Sequence, residues 1–153
     1  MTTQEQKSLV EQISSAMMPT VSRIDRIAMG WLGRHLGELG ISIAEFRIVG
    51  ALLGESEGLP QNVLAARLKV EAATLSVALT KLEAKGLVKR FPDPRDSRVR
   101  RVRPARQIPH LGEVQGLLEQ LETAALAGLP QQDVDIAQRV LKAVEQNLTR
   151  IGE

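Results

Sequence analysis

Nine lysines and arginines crowd into residues 85–106, KGLVKRFPDPRDSRVRRVRPAR, against two aspartates, a local net charge of +7 in a chain that carries +2 overall. The remainder is therefore acidic, at −5. Like charges at this density repel, and the field they create suits a bound polyanion better than a solvated surface, which an even mixture of signs would serve. Nucleic acid is the polyanion this points to. Within the block, Arg95, Arg98, Arg100 and Arg101 are candidate contacts, with Arg103 adding to the charge and Lys89 and Arg90 just before them. Guanidinium groups along a strand can pair with phosphates, and one at a turn can enter the narrow minor groove, where the potential is most negative. Asp93 and Asp96 do not belong on such a face unless they are structural. At least one is expected to form a salt bridge that holds the turn in shape.

Positioning these groups requires a scaffold. Leu87 to Phe91 and Val99 to Arg103 read as two short antiparallel strands joined by the turn Pro92-Asp93-Pro94-Arg95-Asp96-Ser97. Upstream, EAATLSVALTKLEAKG places Leu75, Leu79 and Leu82 on one buried face, and Gly86 is placed to stop the helix in a left-handed conformation. That leaves Ala73, Thr74, Ser76, Val77, Thr80 and Lys81 outward or sideways: small residues that allow close approach, hydroxyls for phosphates or bases, and a valine able to meet a thymine methyl. Pro60 suits the start of a short helix over about 61–68. Ser42 and Glu45 form a capping box with Ile41 and Phe46 as a hydrophobic staple, which predicts a helix from about Ile43 to Leu53. Two short helices, a tight turn and a charged hairpin describe a winged helix-turn-helix, at residues 41–104.

Flanking it, Leu9, Ile13, Met17, Ile24, Ala28, Trp31 and Leu32 predict one amphipathic helix over 4–37, bent around Pro19. Leu111, Val114, Leu118, Leu121 and Ala125, then Ile136, Val140, Val144, Leu148 and Ile151, predict two more within 107–152, punctuated by Gly128 and Pro130. These apolar faces exceed what one small lobe can cover, so a second subunit is expected to bury them. The fold class is mainly α with a small β-wing, a single domain over 1–153.

Composition removes several alternatives. Without cysteine there is no disulfide, thiolate nucleophile or Cys-based zinc site, and His35 and His110 are too isolated for a metal. No H-x-x-x-H, G-x-S-x-G or phosphate-binding glycine loop is present, so neither catalytic residues nor a cofactor are expected. Trp31, Phe46 and Phe91 are the whole aromatic set, too few for a base-stacking platform. No apolar run nears the roughly 20 residues that span a bilayer, and the polar start lacks the order of a secretory signal, which predicts a cytoplasmic protein without a membrane partner. Trp31, Arg34 and His35, with Arg47, form an aromatic and cationic cluster that would suit a small aromatic or anionic effector.

The order LAARLKVEAATLSVALTKLEAKGLVKRFPDPRDSRVRRVRP resembles the DNA-binding lobe of the MarR family of bacterial transcriptional regulators, whose wing pattern D-x-R-D-x-R is matched by Asp93, Arg95, Asp96 and Arg98. With its flanking helices the resemblance covers nearly the whole chain. It implies a homodimer of interlaced terminal helices, over 4–37 and 107–152, with two winged lobes on successive major grooves of a pseudo-palindromic operator in double-stranded DNA. It also implies an effector site between the dimer helices and the lobe, and hence a ligand-responsive repressor. Glu71, Val77, Ser97 and Pro104-Ala105 depart from the family pattern. The competing expectation is a winged-helix module for protein assembly or architectural nucleic-acid binding, without a defined operator.

Overall fold

A computed structural model describes residues 3–151, leaving aside the side chains of residues 3, 9, 10 and 13–15. Leu9 and Ile13, assigned to the apolar face of the first helix, thus lie outside the described side chains, and the outermost residues of the expected 1–153 domain lie outside the description altogether. Contacts divide the chain into two compact units at Gln115/Gly116, a boundary that the sequence pattern did not announce.

The first unit begins with two helices where one bent helix was expected, α1 (Thr3–Ser15) and α2 (Met17–Glu38). Pro19 explains the correction. Its ring collides with the carbonyl four residues back, at Ser15, so the first helix ends there and Ala16 turns extended, at ψ 144°. Pro19 then sits in the first turn of α2, where a missing N–H costs nothing. Helix α3 (Ile43–Gly50) carries the expected capping box: the Glu45 N–H donates to Ser42 Oγ at 3.2 Å and the Ser42 N–H to Glu45 Oε2 at 2.9 Å. It is shorter than expected, giving way to turns from Ala51.

Strand β1 (Leu59–Pro60), helices α4 (Gln61–Leu68) and α5 (Ala72–Ala84), then strands β2 (Val88–Pro92) and β3 (Arg100–Pro104) complete the winged lobe. β1 had no counterpart in the sequence reading. It pairs antiparallel with β3, Leu59 opposite Val102, making a three-stranded sheet in the order β1-β3-β2. β2 and β3 each begin one residue later than expected. Pro104 is tolerated in the central strand because β1 reaches only as far as Val102 and leaves no partner for an N–H there. The core is aliphatic: Ile48, Leu52, Leu59, Leu64, Leu75, Leu79, Leu82, Leu87, Val88 and Val102 pack together. At the end of α5, Gly86 adopts φ 71°, with its N–H on Glu83 and that of Leu87 on Leu82, so the helix stops where the sequence placed its stop. Gly58, at φ 68°, lies against β3 so closely that a Cβ would meet the Val102 carbonyl oxygen at 2.6 Å.

Helix α6 (Leu111–Ala125) crosses the boundary between the units, and α7 (Gln131–Ile151) fills most of the second. Within that second unit Val134 is the one described side chain that is buried, while Leu118, Leu129, Ile136, Val140, Leu141, Leu148 and Ile151 are all exposed.

Candidate nucleic-acid interface

Helix α5 buries one face and offers the other. Leu75, Leu79 and Leu82 are sealed into the core, while Ala73, Thr74, Val77, Thr80 and Lys81 are exposed and Ser76 is half-buried. Glu71 precedes the helix in extended conformation without a side-chain cap. Thr80 donates its hydroxyl to the Ser76 carbonyl at 3.0 Å, a back-bond that commits its proton to the helix. Val77 makes no such commitment and stands 62% exposed.

The hairpin is held by its aspartates. Asp93 Oδ1 accepts the backbone N–H of Arg95 at 2.7 Å, and Asp96 Oδ1 accepts that of Arg98 at 3.0 Å, two side-chain-closed turns that shape the tip. Asp93 Oδ2 also takes Arg101 Nη1 at 2.8 Å. The Arg101 guanidinium goes on to donate to the Gly58 carbonyl at 2.7 Å and the Glu57 carbonyl at 3.2 Å. Arg101 was expected to face DNA. The structure instead turns it inward, to tie the wing to the segment leading into β1. Its register explains this: Arg101 lies opposite Phe91, on the face away from Arg100. The salt bridge expected of at least one wing aspartate is present at Asp93, and Asp96 makes a second, accepting Arg98 Nε and Nη2 at 3.0 Å each. The Arg101 guanidinium holds the Asp93 carboxyl below its ordinary pKa, and Arg98 does the same for Asp96.

The remaining cations divide by partner. Arg90 is spent on Glu83, its N–H at 3.1 Å and its Nε at 2.9 Å, and these two bonds lower the Glu83 pKa. Arg103 lies over the Phe91 ring, 5.2 Å from its centroid. Lys81, Lys89, Arg95 and Arg100 are exposed, and Arg98, despite its partner, keeps 89% of its side chain open to solvent. These five form the accessible cationic surface on α5 and the wing.

One polar junction escaped the sequence reading. Lys85 Nζ reaches both oxygens of Glu45, at 2.8 and 2.9 Å, and the Gly40 carbonyl at 2.8 Å, pinning the end of α5 to the corner between α2 and α3. Glu45 is buried, which works to raise its carboxyl pKa; the bonds from Lys85 and Ser42 outweigh that and leave it lowered. The capping box made Glu45 visible as a helix signal, but a contact spanning 40 residues has no local signature.

With the geometry in place, comparison with known proteins is decisive for the lobe: residues 39–99 match the sequence model of the MarR family. The winged lobe belongs to the MarR family. Solved structures extend the likeness of fold beyond the MarR-family lobe. A point mutant of MarR from E. coli, complexed with operator DNA, aligns at 22% identity and TM-score 0.66 over 82% of this chain and 90% of that one. MepR of S. aureus, in complex with DNA, aligns at 19% identity and TM-score 0.70 over 86% and 98%. CouR from Rhodococcus jostii RHA1, bound to p-coumaroyl-CoA, aligns at 20% identity and TM-score 0.69 over 86% and 93%. No curated protein matches the chain.

The cluster expected to hold an effector is only partly assembled around the MarR-family lobe. Trp31 and His35 do stack, with ring centroids 4.1 Å apart, and His35 Nδ1 lies 2.9 Å from the Trp31 carbonyl oxygen. Arg34 is exposed on the same helix. Arg47 leans instead toward Asp25, at 3.9 Å, which lies about 9 Å back from Trp31 toward the start of α2. Clefts open elsewhere in the same unit, one of about 670 Å³ beside Gly37, Ser42, Glu45, Lys81 and Lys85. Among the described residues no cluster of His, Asp and Glu is arranged for a metal, and no helix is long and apolar enough to cross a membrane.

Proposed function

We propose that the protein is a homodimeric, ligand-responsive repressor that binds a pseudo-palindromic operator in double-stranded DNA. In this reading α5 enters the major groove and the wing tip follows the adjacent minor groove. The observation that carries it is the clustering of Lys81, Lys89, Arg95, Arg98 and Arg100, all exposed, on the recognition helix and wing of a MarR-family lobe. Asp93 and Asp96 serve as wing-shaping residues, and Arg101 joins them.

Dimerisation is supported by apolar surface that a solitary chain leaves wet: Met17, Met18, Ile24 and Ile27 on α2, and Ile136, Val140, Leu148 and Ile151 on α7. The effector is a small aromatic or anionic molecule, and the Trp31–His35 stack with Arg34 beside it is the feature that favours one. The fold likeness to CouR, whose structure holds p-coumaroyl-CoA, points the same way. Because linkage is reciprocal, such a molecule and DNA must weaken each other equally.

The test is selection of genomic fragments by the purified protein, followed by footprinting of the winners at two salt concentrations. Protection of two half-sites about one helical turn apart is expected. Binding without any sequence preference would defeat the proposal in favour of an architectural module.

A further inference from the structure

The outward face of α5 is conspicuous for the base-reading groups it does not carry. Between Ala72 and Ala84 there is no Arg, Asn, Gln or Asp; Glu83 is held by Arg90, and Lys81 is the only cation. Arg, Asn and Gln, which grip guanine or adenine in paired hydrogen bonds, are thus missing from the helix, and Lys81, near its end, is its one group able to grip guanine. Thr80 has committed its proton to Ser76, which leaves Thr74 as the exposed hydroxyl near the helix start. Between Ala73 and Thr80, one helical turn from each, stands Val77, β-branched, 62% exposed and packed into no part of the lobe's core.

An apolar side chain left wet on a lobe with exposed cations needs a partner that is anionic at its edges and apolar at one spot. Lys81, one turn along the same helix, and the exposed Lys89, Arg95, Arg98 and Arg100 of the wing make a nucleic-acid duplex the complementary surface. Within the major groove, the 5-methyl of thymine is the apolar feature. Opposite a valine, the cytosine or adenine amino group or the guanine carbonyl would lose water and gain no partner, so those bases are penalised while thymine is favoured.

We propose that Val77 is the specificity-determining residue of the recognition helix, and that each operator half-site is read through the 5-methyl group of a thymine seated against it. This rests on the DNA-binding reading above and deepens it.

The experiment starts from duplexes enriched from a random library by the full-length protein. Each thymine of the winning site is replaced in turn by uracil, which removes the methyl and nothing else, and both duplexes are titrated with wild type and Val77→Ala. One thymine per half-site should be sensitive, uracil weakening binding about fourfold, the worth of one buried methyl at about 0.8 kcal/mol. In Val77→Ala the thymine-to-uracil ratio should fall to near one, since the two changes remove the same contact. Alanine favours a helix and the site is exposed, so the variant folds. A winning operator without a uracil-sensitive thymine, or a sensitivity that survives in Val77→Ala, overturns this inference and leaves the regulator reading standing. Failure to enrich any sequence defeats both.

Discussion

Gly58 and Gly86 have nearly the same backbone, φ 68° and φ 71°, and opposite surroundings, which makes them a matched pair for measuring how tightly the wing is seated. At Gly86 a Cβ would meet nothing within 4 Å. Gly86→Ala therefore carries only the left-handed penalty of an L-residue, about 1–2 kcal/mol, partly offset by the reduced freedom of the unfolded chain, for a net loss of about 1 kcal/mol. At Gly58 the same atom would lie 2.6 Å from the Val102 oxygen and 3.1 Å from Arg103 Cβ, and the obstacle at the shorter distance is backbone in the central strand. Relieving it means moving β3 or the 51–58 segment, an overpacking cost of about 1–3 kcal/mol on top of the first. Gly58→Ala should thus lose about 2–4 kcal/mol. Urea unfolding of both variants at one matched protein concentration gives the comparison, since the stability of a dimer depends on concentration. A second readout follows from the Gly58 carbonyl that accepts Arg101: displaced, it should loosen the wing and weaken operator binding in protein that is still folded. If the two variants unfold within about 0.5 kcal/mol of each other, the close approach of residue 58 to β3 is not a real constraint and the reasoning fails.

Arg95→Ala and Arg101→Ala should separate binding from structure. The first should leave melting unchanged while reducing the slope of log K against log[salt] by about 0.9, whereas the second should lower the melting midpoint by removing the partner of Asp93 Oδ2 and of the Gly58 carbonyl; equal melting of the two would contradict the inward position of Arg101. Glu45 has its pKa lowered in the fold, so it contributes stability above the ordinary carboxylate range that is lost as pH falls through the folded value. Glu45→Gln should therefore flatten the acid limb of a melting-versus-pH profile, and an unchanged limb would show that the Lys85 junction is not what acid breaks. On α7, Val144→Asp with Leu148→Asp should shift the protein from dimer to monomer in sedimentation, at a cost of several kcal/mol to the assembly; wild type sedimenting as a monomer at micromolar concentration would refute the dimer.

What could be read in advance was local. Ser42 and Glu45 announce a helix start because both hydrogen bonds of the box span three residues, and Gly86 announces a stop because the left-handed turn is made by adjacent groups. Leu75, Leu79 and Leu82 mark a buried face through period alone. The two-residue strand β1 has no period, and it exists only because Leu59 meets Val102 across 43 positions. The division of labour among the wing arginines was hidden for a related reason. Arg100 and Arg101 are chemically identical, and only strand register sends one outward and the other to Asp93 and Gly58. Trp31 and His35 meet because they are four apart on one helix, while Arg47 belongs to another element and goes to Asp25.

The carboxylates beside the wing cations give the surface a built-in ion-exchange character. Lys85, Arg90, Arg98 and Arg101 each have a resident counterion; Asp93 and Asp96 already stand in the +7 of the basic block, but Glu45 and Glu83 come from outside it, so the +7 overstates what a passing phosphate can draw on. On the proposed reading, contact of Arg98 with DNA is a trade of Asp96 for a phosphate, and the carboxylate left behind recruits a solvent cation in place of one released. On that same reading, a lobe of this kind adheres weakly to arbitrary duplex and lets go quickly. It dwells where the groove also offers something to the uncharged face of α5, so that the time spent on wrong sequence is set by aspartates that touch no DNA at all.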